Sequence, residues 1–291
     1  MHKYLKSIGF GKVERKRELD LLLEDVRNHY DKKNVVKKDD SHFFVELTKE
    51  YGRNCGITLC GDYDENHVFQ MEYFYPYFRG SEISSREEVL VERHAEKESY
   101  GGLCDDMRVG FSLIFYLIQA SGYLYAKQNG VLRELQTTLT LSGLADSGTI
   151  LFPVSKDRVQ VEEDRKLSQQ RNSLMAAARN GDEEAMESLT MEDIDIYSMI
   201  SKRIQYEDVY TIVDSHFMPY GIDCDQYNLM GEIVGCDTAV NAITGEKLHQ
   251  LKVVCSDIPL DICINEKDLM GVPEVGRRFK GVIWLQGMVN V

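Results

Sequence analysis

The sequence predicts an α+β protein in three parts, and three observations carry that prediction. Apolar residues recur at helical spacing near the N-terminus. Two long stretches, 43–153 and 209–291, are rich in β-branched and aromatic residues broken by Gly, Asp and Asn turns. Between them runs a proline-free acidic segment with helix-cap signals. The expected architecture is an N-terminal helix packed on a mostly antiparallel sheet (1–156), an acidic helical connector (157–208) and a small C-terminal β-barrel of OB-like type (209–291). A chain of 291 residues has room for two domains, and 43% apolar with 28% charged residues excludes a disordered, coiled-coil or collagen-like chain.

The first helix rests on Leu19, Leu22, Leu23, Val26 and Tyr30, which follow i, i+3, i+4, i+7 and i+11 with charged residues between them. The basic run from Lys32 to Lys38 is expected as its solvated end, because lysines near a helix C-terminus complement the macrodipole. Strands are expected at 42–47, 55–60, 68–78, 87–93, 108–117, 135–141 and 149–154, with a hairpin turn at 61–66. The segment from Phe111 to Tyr125 reads equally as strand or buried helix. In the connector, Asn180-Gly181 stops one helix and Asp182 caps a short one at 183–189. Thr190-Met191-Glu192-Asp193 then opens another, whose Ile194, Tyr197, Ile200 or Ser201, and Ile204 share a stripe. Strands at 209–217, 228–234, 248–255, 260–264 and 279–286, with a helical turn near Lys267–Met270, complete the barrel.

There are 34 basic and 48 acidic side chains, a net charge of −14. That field repels phosphate backbones and anionic lipid surfaces, so nucleic acid and membrane are not expected partners. The acidity is concentrated in the second half, with thirteen acidic and seven basic residues over 157–210 and eleven against six over 211–291. The most hydrophobic run, Phe111 to Ile118, ends after eight residues where a membrane span takes about 20. With no signal-peptide pattern in MHKYLKSIGF, a cytoplasmic protein is expected. The seven cysteines contain no C-x-x-C and suit neither a disulfide framework nor a zinc site; those inside strands are expected as buried free thiols.

Most catalytic patterns fail on their own chemistry. Asp62-x-Asp64-x-Asn66 opens like a calcium loop, but His67 stands where the loop needs Gly and Tyr73 where it needs a bidentate Glu. The seven histidines form no metal pair, and His94-Ala95-Glu96 lacks the cysteines of a zinc deaminase. Asp214-Ser215-His216 holds triad residue types, yet on a strand Ser215 faces away from the other two. His216 with Cys224 has only sequence proximity behind it. No phosphate-binding glycine loop is present. No catalytic residue, metal ligand or cofactor is therefore expected.

One candidate site remains. Arg277, Arg278 and Lys280 place three cations within four residues of an otherwise acidic section, just before Trp284, the only tryptophan. Forked guanidinium donors grip anions, and an indole stacks on planar rings, so this cluster is the expected ligand-binding surface for a protein or a small anionic or aromatic ligand. The plain structural alternative is that the arginines meet the protein's own acidic connector and Trp284 fills the barrel. The aromatic run Tyr73 to Phe78 is a second candidate, of which alternate residues face the core.

The N-terminal MHKYLKSIGF, the stretch Ala177-Ala178-Arg179-Asn180-Gly181-Asp182-Glu183-Glu184, Phe217-Met218-Pro219-Tyr220-Gly221, and the final Glu274-Val275-Gly276-Arg277-Arg278-Phe279-Lys280-Gly281 resemble a family of uncharacterised clostridial proteins of about this length. The resemblance spans essentially the whole chain. It implies a bacterial cytoplasmic origin and carries over no catalytic residue. The expected function is a non-enzymatic binding or adaptor protein. The alternatives are an enzyme whose site is assembled from sequence-distant carboxylates at an interdomain cleft, and a homo-oligomeric structural protein built on the acidic helices.

Overall fold

Tyr4, Leu5 and Ile8 are apolar, and burying all three takes a tight turn. Lys3–Ile8 form a 3-10 turn, closed by Gly9 at φ 92°, where a β-carbon would also meet Asn241 at 2.7 Å. The computed structural model describes residues 2–38, 42–64, 68–93, 99–132, 137–154, 158–221 and 225–290, with side chains of the helix that starts at 158 described from Lys166. Helix α1 (Lys16–Asn28) buries Leu22, Leu23 and Val26, the expected stripe, while Tyr30 lies exposed beyond its end. Glu18 accepts from the N–H groups of Glu14 and Arg15 and so caps the helix start.

Strands β1 (Lys32–Lys37), β2 (Phe43–Gly52), β3 (Cys55–Tyr63) and β4 (Phe69–Phe78) form a four-stranded antiparallel meander on which α1 packs. The basic run is thus an edge strand, not a helix end. Alternation buries Val36 while the lysines stay in water, and charged side chains keep an exposed edge from pairing further. Asp64 accepts from Val68 N–H at 2.9 Å, the turn chemistry its residue type suggests. Asn66 and His67, the other half of the calcium-loop comparison, lie outside the described residues, as do His94-Ala95-Glu96 and Cys224.

Next come β5 (Val89–Arg93), β6 (Tyr100–Cys104), β7 (Leu113–Leu117), α2 (Ala120–Gln128) and β8 (Thr138–Leu151). The ambiguous 111–125 segment is both strand and helix, divided at Gln119, whose φ of 56° breaks the extended run. Where two strands were expected around Asp146-Ser147-Gly148, there is one strand of 14 residues. These residue types favour a turn locally, but pairing with the C-terminal strand on both sides reduces it to a bulge at Asp146, where the register shifts by one residue.

The connector is a helical hairpin, α3 (Arg158–Arg179) and α4 (Glu183–Arg203), followed by α5 (Val209–Ile212) where a strand was expected. Asp182 caps α4 by accepting from Ala185 N–H at 3.1 Å. The expected second helix start at Thr190 is absent, because the Thr190 hydroxyl donates back to the Met186 carbonyl at 2.8 Å and α4 runs on unbroken. Asp208 caps α5 in the same way as Asp182 caps α4.

Strands β9 (His216–Pro219), β10 (Gln226–Val240), β11 (Lys247–Cys255), β12 (Ile258–Asn265), β13 (Leu269–Met270) and β14 (Arg278–Asn290) complete the chain. Five of the strands close into a ring, β8-β12-β11-β10-β14 and back to β8, with β8–β12 parallel and the other four pairings antiparallel. The barrel therefore does not begin at 209. One wall, β8, comes from ahead of the hairpin, pairing with β14 along most of its length and with β12 at residues 142–144. Size matching fills the interior: a β-carbon on Gly148 would lie 2.4 Å from the Phe279 ring and one on Gly143 2.9 Å from Ile283, so β8 is small where β14 is large.

Beyond the ring, β7, β6 and β5 extend the sheet from β14. The meander joins the barrel through Gln286, wholly buried, which donates to Pro76 O at 2.8 Å and accepts from Phe78 N–H at 3.0 Å. The N-terminal turn seals one side, Ser7 donating to Ala145 O at 2.7 Å. One apolar core runs through both parts, from Tyr4 and Val26 to Phe279 and Leu285.

Cys55, Cys60, Cys104, Cys255 and Cys263 are free and buried, and Cys236 is half-buried. Burial pushes the Cys104 thiol up to about 11 and that of Cys255 to about 12. A disulfide reagent applied to the native protein is expected to label Cys236 far faster than these five, with all of them labelled at once on unfolding. Rapid native labelling of Cys60 or Cys263, read by mass spectrometry, would contradict the packing.

Candidate functional site

Strand β14 leaves the turn at Gly276 and carries Arg278, Lys280 and Trp284 on the barrel's outer face, at alternate positions as a strand requires. Arg277 stays behind on the turn. The four expected residues therefore separate into different environments.

Arg278 is buried, and its guanidinium donates to three main-chain carbonyls: Phe152 at 3.0 Å, Val213 at 2.9 Å and Tyr210 at 2.7 Å. These lie before and after the helical hairpin, so one side chain ties both of its ends to the barrel. Desolvation lowers the Arg278 pKa, and the nearby Asp214 carboxylate works against that shift. Arg277 bonds within its own turn, to Val272 O at 3.0 Å and to Glu274 at 2.8 Å, and lies over the Phe152 ring at 5.6 Å. Lys280 donates to the Tyr210 hydroxyl and stands 4.3 Å from that ring's centroid. Trp284 donates to Asp225 at 2.6 Å and stacks on Tyr4 at 5.5 Å, with Tyr116 at 4.9 Å.

The structure thus gives every cation and the indole an internal partner. Arg278 meets backbone carbonyls on either side of the connector, not the acidic side chains within it that composition suggested. Of the aromatic run, Tyr75, Tyr77 and Phe78 are core, and Tyr73 and Phe74 are half-buried.

Two cavities flank this strand. One of about 460 Å³ lies at the seam with α3 and is bordered by Asp214, Ser215, Glu232, Asp257, Ser168 and Arg278. The other, about 580 Å³, includes Lys280, Lys267, Asn228 and Thr149. Among the described residues no group of three His, Cys, Asp or Glu side chains could hold a metal ion. Burial raises two carboxyls, Glu46 and Asp261, but neither borders these cavities. Glu46, wholly inside, accepts from Ser121 N–H at 3.1 Å, from the Ser121 hydroxyl and from Tyr75 at 3.2 Å, and so caps α2 from a neighbouring strand.

The feature that sequence reasoning missed is on the hairpin. Ala185, half-buried Glu192 and Arg203 mark the more buried face of α4, which packs against α3, whose Arg171 grips Glu192 and Asp193 at 3.1 and 2.6 Å. The expected stripe divides at its alternative: Ile200 is half-buried, while Ile194, Tyr197, Ser201 and Ile204 point to solvent, with Ile194 57%, Tyr197 75% and Ile204 50% exposed. The stripe's spacing was visible in the sequence. Its direction was not, because periodicity gives a face and not what that face meets. Beside α3, a groove of about 510 Å³ is lined by Met107, Phe111, Met175, Met186 and Leu189.

A mixed α+β protein built on a closed five-strand barrel, with a four-stranded meander against it and a helical hairpin clamped to its wall, is the class that the fold defines. The chain belongs to the family described as a domain of unknown function from an E. rectale gene, DUF3881, which it matches over residues 5–287. No curated protein and no solved structure matches it. Among the described residues no helix is long and apolar enough to cross a membrane.

Proposed function

We propose that the protein is a non-enzymatic binding protein that engages another polypeptide chain through the outer face of α4. The observation that carries this reading is the solvent-facing stripe of Ile194, Tyr197 and Ile204. Contiguous apolar surface of this kind on a soluble domain marks a protein contact. The cluster Arg277, Arg278, Lys280 and Trp284 is given a structural part in this reading, because each already has a partner inside the fold.

The barrel is taken as OB-like on the strength of its five-strand ring, and its use as a nucleic-acid surface is set aside on charge. A cytoplasmic location belongs to the same proposal, motivated by the free buried thiols, which a reducing compartment preserves. A photoactivatable phenylalanine analogue at Tyr197 is expected to give a covalent protein adduct in expressing cells. The same analogue at Leu90, an exposed position on β5, is expected to give none. Failure to form any adduct at Tyr197 would end the reading.

A further inference from the structure

We propose that Cys55 and Cys263 are a redox-convertible pair, which a low-molecular-weight disulfide such as oxidised glutathione joins into a bond stapling the meander to the barrel. The two residues lie on different sheets, on the order of 200 residues apart in the chain, and two sets of contacts bring them together. Gln250 of β11 stands directly across from Cys263 of β12, so both side chains share one face of the barrel wall. With that face Gln250 reaches the turn between β2 and β3, donating to Arg53 O at 2.5 Å and accepting from Arg53 Nε at 3.3 Å. Cys55 opens β3 just after this turn. A β-carbon on Gly52 would lie 3.1 Å from Cys55 Sγ and 3.8 Å from the side chain of Leu248, which alternates onto the same face as Gln250. The Cys263 thiol meets that of Cys55 and donates to Ser7 O at 3.3 Å, and both cysteines are wholly buried. Among the described residues the other buried thiols bond elsewhere: Cys60 to Tyr73, Cys104 to Ser85, and Cys255 to the carbonyls of His216 and Met230.

The step balances on one molecule of oxidised glutathione. The thiolate of one cysteine attacks it, forming a mixed disulfide and releasing one glutathione thiolate. The thiolate of the second attacks the protein sulfur of that mixed disulfide and releases the other. The cysteines are oxidised, the glutathione disulfide is reduced, and the two protein protons end on the two glutathione molecules. Contact with Cys55 and burial hold the Cys263 thiol well above the ordinary range, so thiolate is scarce in the closed molecule. Exchange therefore runs while the chain folds or the seam opens, and the native packing then holds the two sulfurs together. In a reducing compartment the pair rests as thiols.

The test is to unfold the full chain in urea, refold it in buffers of rising oxidised-to-reduced glutathione ratio, alkylate it, and map the digest by mass spectrometry. One intramolecular link is expected, joining the peptides of Cys55 and Cys263, with the other cysteines alkylated. The linked chain is expected to melt about 5–10 °C above the reduced one, because closing so long a loop restricts the unfolded state strongly, and dithiothreitol is expected to abolish the difference. Cys55→Ala and Cys263→Ala, each of which breaks the pair, are expected to lose the redox-dependent shift, whereas Cys104→Ala is expected to keep it. Mapping the native protein after long incubation in the same buffers gives the same readout without a refolding step. Both cysteines still free in the most oxidising buffer, a link between other cysteines, or a linked chain no more stable than the reduced one would overturn the inference.

Discussion

Arg278→Ala is expected to cost about 3 kcal/mol of stability, and Arg277→Ala, one residue earlier, less than about 0.5 kcal/mol. The contrast follows from what each guanidinium touches. Arg278, itself buried at the edge of the seam cavity, makes three charge-assisted bonds to the carbonyls of Phe152, Val213 and Tyr210. Removing it takes the donor from three part-buried acceptors at once and unties both ends of the hairpin. Arg277 pairs with Glu274 on an open turn, where solvent replaces the lost contact.

The change also has a location. Hydrogen exchange should quicken at 152–154 and 209–214, where the hairpin joins the barrel, and stay slow in β10, β11 and β12. Urea titration of the two variants is the measurement. Equal midpoints would mean that Arg278 is not the clamp, and a ligand-binding part for the pair would regain ground.

Glu46→Ala is expected to cost a similar amount, about 3 kcal/mol, and Glu46→Gln about 1 kcal/mol. The carboxylate holds the first turn of α2 through Ser121 and the end of β4 through Tyr75, and alanine abandons all of these donors in a dry site. Glutamine keeps the shape and one acceptor oxygen.

Glu46 also gives stability a pH dependence with a definite sign. Burial raises its folded-state pKa above the ordinary value of 4.5, so the folded chain holds this proton more tightly than the unfolded one. Its contribution is complete below pH 4.5 and fades as pH rises through the folded value. The stability advantage of wild type over Glu46→Gln should therefore be greatest in acid and shrink toward neutrality, as chemical denaturation at a series of pH values would read. A constant difference, or one that grows with pH, would mean that the carboxylate is ionised throughout.

Much of the fold was legible because its signals are local. Leu22, Leu23 and Val26 announce α1 through spacing alone, and Asp182 and Asp208 announce helix starts through the one bond that an Asp side chain makes with the backbone after it. The errors have a common origin. Lys32 to Lys37 became a strand because β2 offered an edge, and the turn expected at Asp146-Ser147-Gly148 shrank to a bulge within the pairing of β8 with β14. In each case long-range pairing outweighed a weak local preference.

The candidate site divides along the same line. Side-chain chemistry in the sequence singled out Arg277, Arg278, Lys280 and Trp284 as a group that must do something, and each does make a directed contact. Only the tertiary structure decided that the contacts are internal, since a guanidinium bonds a backbone carbonyl as readily as a ligand and no pattern of residues distinguishes them. The sequence by itself determined class, charge, the free thiols and the stripe on α4. Which way that stripe faces, and that the barrel takes β8 from ahead of the hairpin, were decided by packing. Both depend on where sequence-distant residues lie in space, and periodicity carries no term for that.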